Sequence, residues 1–169
     1  MKIDQNTILY FDMDGVLAKW DPTSSIEDTY QSGYFLEREE ETTVKELILG
    51  LMRDGYAVSI LSAAYEEGTA KQDKKKWLEN HGLGEVPAVF VPYGADKNDY
   101  VAPGKQVLLD DFSKNLHAWE KAGNTGVKFL NGINGTHGTW KGYIITNRMS
   151  AEQMAVVLKA VVEETGGAA

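Results

Sequence analysis

Short runs of apolar, β-branched and aromatic residues recur along the chain at Ile8 to Phe11, Ala57 to Leu61, Ala88 to Val91, Val107 to Leu109 and Val127 to Leu130. Runs of this length and composition predict buried strands. Between them, apolar positions recur at helical spacing. Val44, Leu47, Ile48 and Leu51 form one stripe, opened by a Thr43-x-x-Glu46 capping box and closed by Gly55. Met154, Val157, Leu158 and Val161 form another, opened by Ser150-x-x-Gln153. Less regular helices are predicted over 67–80, ending near His81-Gly82, and over 113–122, starting at Ser113 and stopping at Gly123. Strand and helix alternate, and the strands are apolar throughout. That pattern predicts an α/β fold with a mainly parallel sheet between two helical layers, because each parallel crossover needs a helix to return the chain.

Two segments break the alternation. Residues 17–42 carry Trp20, Asp21-Pro22, Gly33-Tyr34-Phe35 and the acidic run from Glu37 to Glu41. Loops this long inside compact domains tend to be lids or binding loops, so the segment is expected to be a small cap over the sheet edge, the alternative being a solvated acidic connector. Asn131 to Gly142 is a second irregular stretch, with four glycines around Asn134, His137 and Trp140. The tail over 165–169 is expected to be frayed.

At 169 residues and 43% hydrophobic, the chain can bury one substantial core, which implies a single domain over 1–169. A formal net charge of −8 repels a polyphosphate backbone, and the longest basic run, Lys74-Lys75-Lys76, stands alone, so long nucleic acid is not an expected partner. No apolar stretch is long enough to cross a bilayer, and Met1 to Asn6 lacks the apolar segment of a secretory signal, so a cytoplasmic protein without a membrane partner is expected. With no cysteine, thiolate metal sites and a cysteine nucleophile are excluded, and any metal must use oxygen or the three histidines.

In an open parallel sheet, ligands bind beyond the carboxyl ends of the strands. The residues immediately after the apolar runs are Asp12 and Asp14, Ser62, and Asp110 and Asp111, with Lys97 in the segment before the last pair. Several carboxylates packed together repel one another unless a cation sits among them. Oxygen-only ligands suit magnesium better than zinc or copper. Lys97 and the Ser62 hydroxyl, with nearby backbone N–H groups such as that of Ala63, can neutralise and orient phosphate oxygens. No motif places a histidine to activate a serine, which leaves an aspartate as nucleophile. The Asp12-x-Asp14 spacing supplies both groups that aspartyl-phosphate chemistry needs: Asp12 to attack phosphorus while ligating the metal, and Asp14, at a turn eased by Gly15, to protonate the leaving oxygen and later activate water.

Asp12-Met13-Asp14-Gly15-Val16, Ser62 after a strand, Lys97, and Leu108-Leu109-Asp110-Asp111 resemble the four ordered motifs of the haloacid dehalogenase superfamily, over roughly residues 7–130. The second aspartate, Asp14, is similar to the phosphatase and phosphomutase branch. The resemblance implies a Rossmann-like core, magnesium, Asp12 as nucleophile and metal ligand, and Asp14 as acid/base with its backbone carbonyl on the metal. It also implies Ser62 and Lys97 as phosphate contacts, Asp111 as a direct metal ligand, and Asp110 as its close neighbour in the outer shell. More finely, Phe11 to Ala18, the insertion after the first motif, and Val107 to Asp111 resemble the 5′(3′)-deoxyribonucleotidase-like group, whose members hydrolyse nucleoside monophosphates. This chain departs from that group in carrying a shorter insertion.

The expected function is therefore a magnesium-dependent phosphomonoesterase acting on a nucleoside monophosphate or similar small phosphate. The alternatives are a phosphatase of another small ester or of a polynucleotide end, or a non-catalytic phosphate-binding regulatory module. Trp20, Tyr34 and Phe35 are candidates for stacking on a base, against the alternative that they pin the insertion to the core. His137 is a candidate substrate contact in its glycine-rich loop, against an ordinary loop histidine. Trp77 and Trp119 fall on helical stripes and are expected in the core. The Lys71 to Lys76 cluster is expected to be a solvated helix face.

Overall fold

The computed structural model describes residues 6–135 and 138–167. Six strands, β1 (Leu9–Phe11), β2 (Val58–Ala64), β3 (Ala88–Pro92), β4 (Val107–Asp110), β5 (Thr125–Leu130) and β6 (Tyr143–Thr146), form one sheet in the order β3-β2-β1-β4-β5-β6. Every neighbouring pair is parallel. The helices are α1 (Ile26–Thr29), α2 (Thr42–Arg53), α3 (Ala70–Asn80), α4 (Ser113–Lys121) and α5 (Ala151–Gly167). This is the expected Rossmann-like three-layer arrangement. The strand order reverses between β1 and β4, and a crevice opens there beyond their carboxyl ends.

Alternate strand residues divide between two cores. Leu9, Phe11, Ile60, Leu109, Val127 and Phe129 pack with α2, α5 and the α3 residues Trp77 and Leu78. Tyr10, Leu61 and Leu108 pack on the opposite face with Leu116 and Trp119 of α4 and with Trp140. Trp77 and Trp119 are completely buried, as their spacing predicted, and truncating either would cost about 3–5 kcal/mol. Among the described residues no helix is long and apolar enough to cross a membrane.

Residues 17–42 leave the sheet and return to it. Lys19 N donates to Glu39 O (2.8 Å) and Glu41 N to Leu17 O (2.7 Å), which brings the two ends of the excursion together. Between them α1 carries its own capping box, Ser25 with Asp28, and a 3-10 turn runs over Tyr34–Glu37 after Gly33, whose φ of 84° only glycine adopts cheaply. The excursion is pinned to α3: Gly33 N donates to Asp73 Oδ2 (2.8 Å) and Trp77 Nε1 to the Arg38 carbonyl (2.8 Å).

Several boundaries differ from expectation, each for a local reason. The Ser150–Gln153 capping box forms, with bonds of 2.9 and 3.1 Å, but the Thr43–Glu46 box does not. Glu41 occupies the N-cap position of α2 without a side-chain cap, since the strand-like contact to Leu17 delivers the chain into the helix two residues early. β6 was not anticipated after the glycine-rich stretch; it is a four-residue edge strand with one fully buried side chain, Ile145. The expected frayed tail is instead helical through Gly167, because Thr165 is buried and bonds Thr125 Oγ1 (2.9 Å); residues 168–169 lie outside the described residues.

Candidate active site

The hydrophobic run of β1 ends at Phe11, and the next residue, Asp12, is held in register when its N–H donates to Leu109 O of β4 (2.9 Å). The chain then turns tightly, with Leu17 and Ala18 N–H both donating to Met13 O (3.0 and 2.8 Å). Gly15 serves this turn twice over. Its φ is 80°, and a Cβ there would sit 2.1 Å from Asp111 Oδ2, so no other residue lets the β1 turn approach the end of β4 this closely.

Asp12, Asp110 and Asp111 each bring a carboxylate oxygen within 4.8 Å of the others. Lys97 Nζ reaches into the group, donating to Asp12 Oδ1 (3.0 Å) and Asp110 Oδ2 (2.8 Å). Asp110 is fully buried and accepts three hydrogen bonds, the other two from Phe112 N (2.9 Å) and Asn115 Nδ2 (3.0 Å). The Asp111 carboxylate has, among the described residues, a single long contact from Asn131 Nδ2 (3.4 Å). The two carboxylates thus differ in free lone pairs, Asp111 having more to offer a cation.

The electrostatics point the same way. Burial, then repulsion from Asp110 and Asp14, outweighs Lys97 and pushes Asp12 up to about 7. Burial and repulsion from Asp12, Asp110 and Asp14 push Asp111 up to about 9. Burial works against the Lys97 ammonium, but Asp110 and Asp12 hold its pKa above the ordinary lysine value. Lys97 alone does not neutralise Asp12, Asp110 and Asp111, and an all-oxygen set short of positive charge fits a hard divalent cation. Asp12, Asp110 and Asp111 are the side chains whose oxygens lie close enough together to hold it.

Asp14 stands apart from the three. Its Oδ2 pairs with Lys74 Nζ (2.5 Å), which also donates to Ser62 Oγ (3.1 Å) and Ala63 O (2.6 Å) and lies 4.4 Å from the centre of the Phe35 ring. Lys74 is 1% exposed, so the expectation of a wholly solvated Lys71–Lys76 face is corrected here. The signal was available: Ala70, Lys74, Trp77 and Leu78 are the buried stripe of α3, and a lysine on an apolar stripe has a buried task. Ser62 was expected just past its strand. Instead β2 runs on through Ala64, paired with Phe90, Val91 and Pro92 of β3. Ser62 is consequently buried, with its hydroxyl donating to Ala63 O and accepting from Lys74.

A further supporting loop also escaped sequence reading. Asn131 Nδ2 donates to Gly15 O (2.9 Å), while Asn134 Nδ2 donates to Asp111 O (3.1 Å) and Phe129 O (2.8 Å). The start of the glycine-rich stretch thus locks the β1 turn to the end of β4.

Of the candidate substrate contacts, Trp20 and Phe35 line a cleft that ends at Asp14 and Lys74. Tyr34 does not. It is buried with its ring beneath the Arg38 guanidinium (4.2 Å) and against Phe35, on the far side of the 3-10 turn. His137 lies outside the described residues.

No family model matches the chain, and no curated protein matches it in sequence. Solved structures do match in fold. A D,D-heptose 1,7-bisphosphate phosphatase from B. bronchiseptica, crystallised with magnesium and phosphate, aligns with a TM-score of 0.64 at 12% identity, over 90% of this chain and 97% of that one. The D,D-heptose 1,7-bisphosphate phosphatase of Burkholderia thailandensis aligns at 0.63 and 15% identity over the same shares. A protein assigned as a HAD-like phosphatase from Mesorhizobium loti aligns at 0.60 and 14% identity, over 94% of this chain and 87% of that one. The chain therefore has the fold of the haloacid dehalogenase-like phosphatases.

Proposed function

We propose that this chain is a magnesium-dependent phosphomonoesterase that forms an aspartyl phosphate on Asp12 and takes nucleoside monophosphates as substrates. The observation that carries the reading is the border position of Asp14: it lies between a buried, cation-deficient carboxylate group and a largely apolar cleft in which its own charge is paired with Lys74. Phosphorus held over Asp12 would place the ester oxygen toward that border.

In this reading Asp12, Asp111 and the Asp14 carbonyl hold the metal, which when bound draws charge from the phosphate oxygens. Lys97, already against Asp12, and the Ser62–Ala63 edge contact the phosphoryl group, and Lys74 orients Asp14 and Ser62 together. A carboxylate oxygen of Asp12 attacks phosphorus in line as the P–O ester bond breaks, and the leaving oxygen takes its proton from Asp14. Asp14 then accepts a proton from water, whose oxygen attacks the acyl phosphate, releasing phosphate and restoring Asp12. Residues 17–42 act as the cap of a single domain, closing the leaving-group side. Two features support a mononucleotide over a polynucleotide end: the net charge of −8 and the aromatic lining of the cleft by Trp20, Phe35, Tyr65 and Tyr93.

The test is phosphate release from a panel of nucleoside monophosphates, sugar phosphates and DNA termini, with and without magnesium. Magnesium-dependent turnover of mononucleotides that Asp12→Asn abolishes is the expected result; unimpaired turnover in that variant would sink the mechanism.

A further inference from the structure

The cleft beside Asp14 is lined by unusual residues for a surface opening. Trp20, Ile26 and Tyr93 on its walls are 37%, 68% and 72% exposed. Large apolar side chains gathered at one concave opening mark a binding surface. The rings are also braced. Tyr65 follows β2 and Tyr93 follows β3, so the pairing of these adjacent strands sets the two rings side by side, 5.1 Å between centroids. Tyr30 of the insertion covers another side of Tyr65 at 4.7 Å. The Thr29 hydroxyl donates to Ile26 O (2.6 Å), which leaves the Tyr65 hydroxyl as donor in its 3.0 Å bond to Thr29 Oγ1. Tyr65 is thereby ordered before any ligand arrives, and the outermost ring, Tyr93, remains open to one. Binding against a pre-ordered wall forfeits little side-chain entropy.

The charge of the cleft narrows what fits. Among the described residues Asp14 and Lys74 are the only charged side chains that line it, and they are paired with each other. Among the described residues no other cation lines this cleft, and the exposed Glu27 and Asp28 of the insertion and Glu66 and Glu67 after Tyr65 add negative charge nearby. The geometry points to a leaving-group subsite, walled by Tyr93, Tyr65, Trp20 and Ile26, that takes a planar uncharged ring system and rejects esters bearing a second phosphate. This deepens the phosphatase reading above and rests on it. The two heptose bisphosphate phosphatases that share the fold are named for a substrate with two phosphates; this cleft offers no cation for the second.

The experiment measures kcat/KM of the full chain with magnesium for 2′-deoxyadenosine 5′-monophosphate, ribose 5-phosphate and fructose 1,6-bisphosphate. The nucleotide should exceed ribose 5-phosphate by about tenfold or more, the scale of one ring stacked on an aromatic wall, and the bisphosphate should be poorest. Tyr93→Ala should erode the nucleotide-to-sugar ratio about tenfold, and Tyr93→Phe should preserve it. A ratio unchanged in Tyr93→Ala, or preference for the bisphosphate, overturns the subsite. Calorimetric binding to Asp12→Asn with magnesium separates this from the phosphatase reading. Tighter binding of the nucleotide than of ribose 5-phosphate, by the same factor, supports the subsite even if no ester is hydrolysed, whereas equal affinities overturn it even if all three are.

Discussion

The ends of β1 and β4 carry Asp12, Asp14, Asp110 and Asp111, and burial together with their mutual repulsion pushes Asp12 and Asp111 up to about 7 and about 9. The neighbouring ends of β2 and β3 carry Tyr65 and Tyr93, ring against ring, in a cleft where the charges of Asp14 and Lys74 are paired with each other. One region is buried, charge-strained and held rigid by Gly15, Asn131 and Asn134; the other is open and neutral. Under the proposed function the contrast means that reaction and selectivity are housed separately, with Asp14 and Lys74 as the seam between them. Substitutions on one side of the seam should therefore change rate, and on the other side choice of ester.

The largest effect on this division is expected from Asp111→Asn. It removes the carboxylate proposed as a direct metal ligand, so magnesium-dependent turnover should fall by about a thousandfold or more in steady-state assays. The same change relieves repulsion in the metal-free protein, whose melting temperature at pH 8 should rise by about 2–4 °C for each kcal/mol regained. A fall in both would mean that Asp111 is a structural carboxylate only.

Lys74→Met comes next. It deprives Asp14 and Ser62 of their shared partner, and misdirecting an acid group costs on the order of a hundredfold in kcat. Loss in KM alone, with kcat intact, would move Lys74 from the seam to the binding side.

The metal-free protein should also lose stability as pH rises. Asp12 and Asp111 have folded pKa values raised above the ordinary 3.8, so between about pH 4 and pH 9 the folded state binds more protons than the unfolded chain. Stability then falls across that window. Melting curves from pH 5 to 9 should show the decline without magnesium and a much flatter profile with it. A metal-free profile that rises with pH would contradict the charge-strained account.

The smallest effect is expected from Tyr34→Phe. Its hydroxyl is buried with no partner among the described residues, so removal should leave turnover unchanged and stability equal or slightly higher. Loss of nucleotide turnover would return Tyr34 to the substrate.

The two regions also differed in how far they could be read from sequence. Asp12, Asp14, Asp110 and Asp111 were visible because each ends an apolar run, and the order of runs implies a parallel sheet whose carboxyl ends converge. The α5 cap and the cores around Trp77 and Trp119 were visible through spacing alone. Lys74 was masked by the lysines beside it, although its position four residues after Ala70 puts it on the buried stripe of α3. Tyr65 and Tyr93 are 28 residues apart and meet only because β2 and β3 are neighbours, which no local pattern specifies. Tyr34 and Phe35 are adjacent yet serve different sides of the 3-10 turn, a distinction that depends on how the insertion docks on α3.

The most direct test of the central claim is to look for phosphate on Asp12 itself. Rapid acid quenching during turnover of a 5′-³²P-labelled nucleoside monophosphate, followed by peptide mapping, should reveal a hydroxylamine-labile label on the peptide that contains Asp12, absent in Asp12→Asn. Turnover with no protein-bound label at any time, or a label on another peptide, would contradict it.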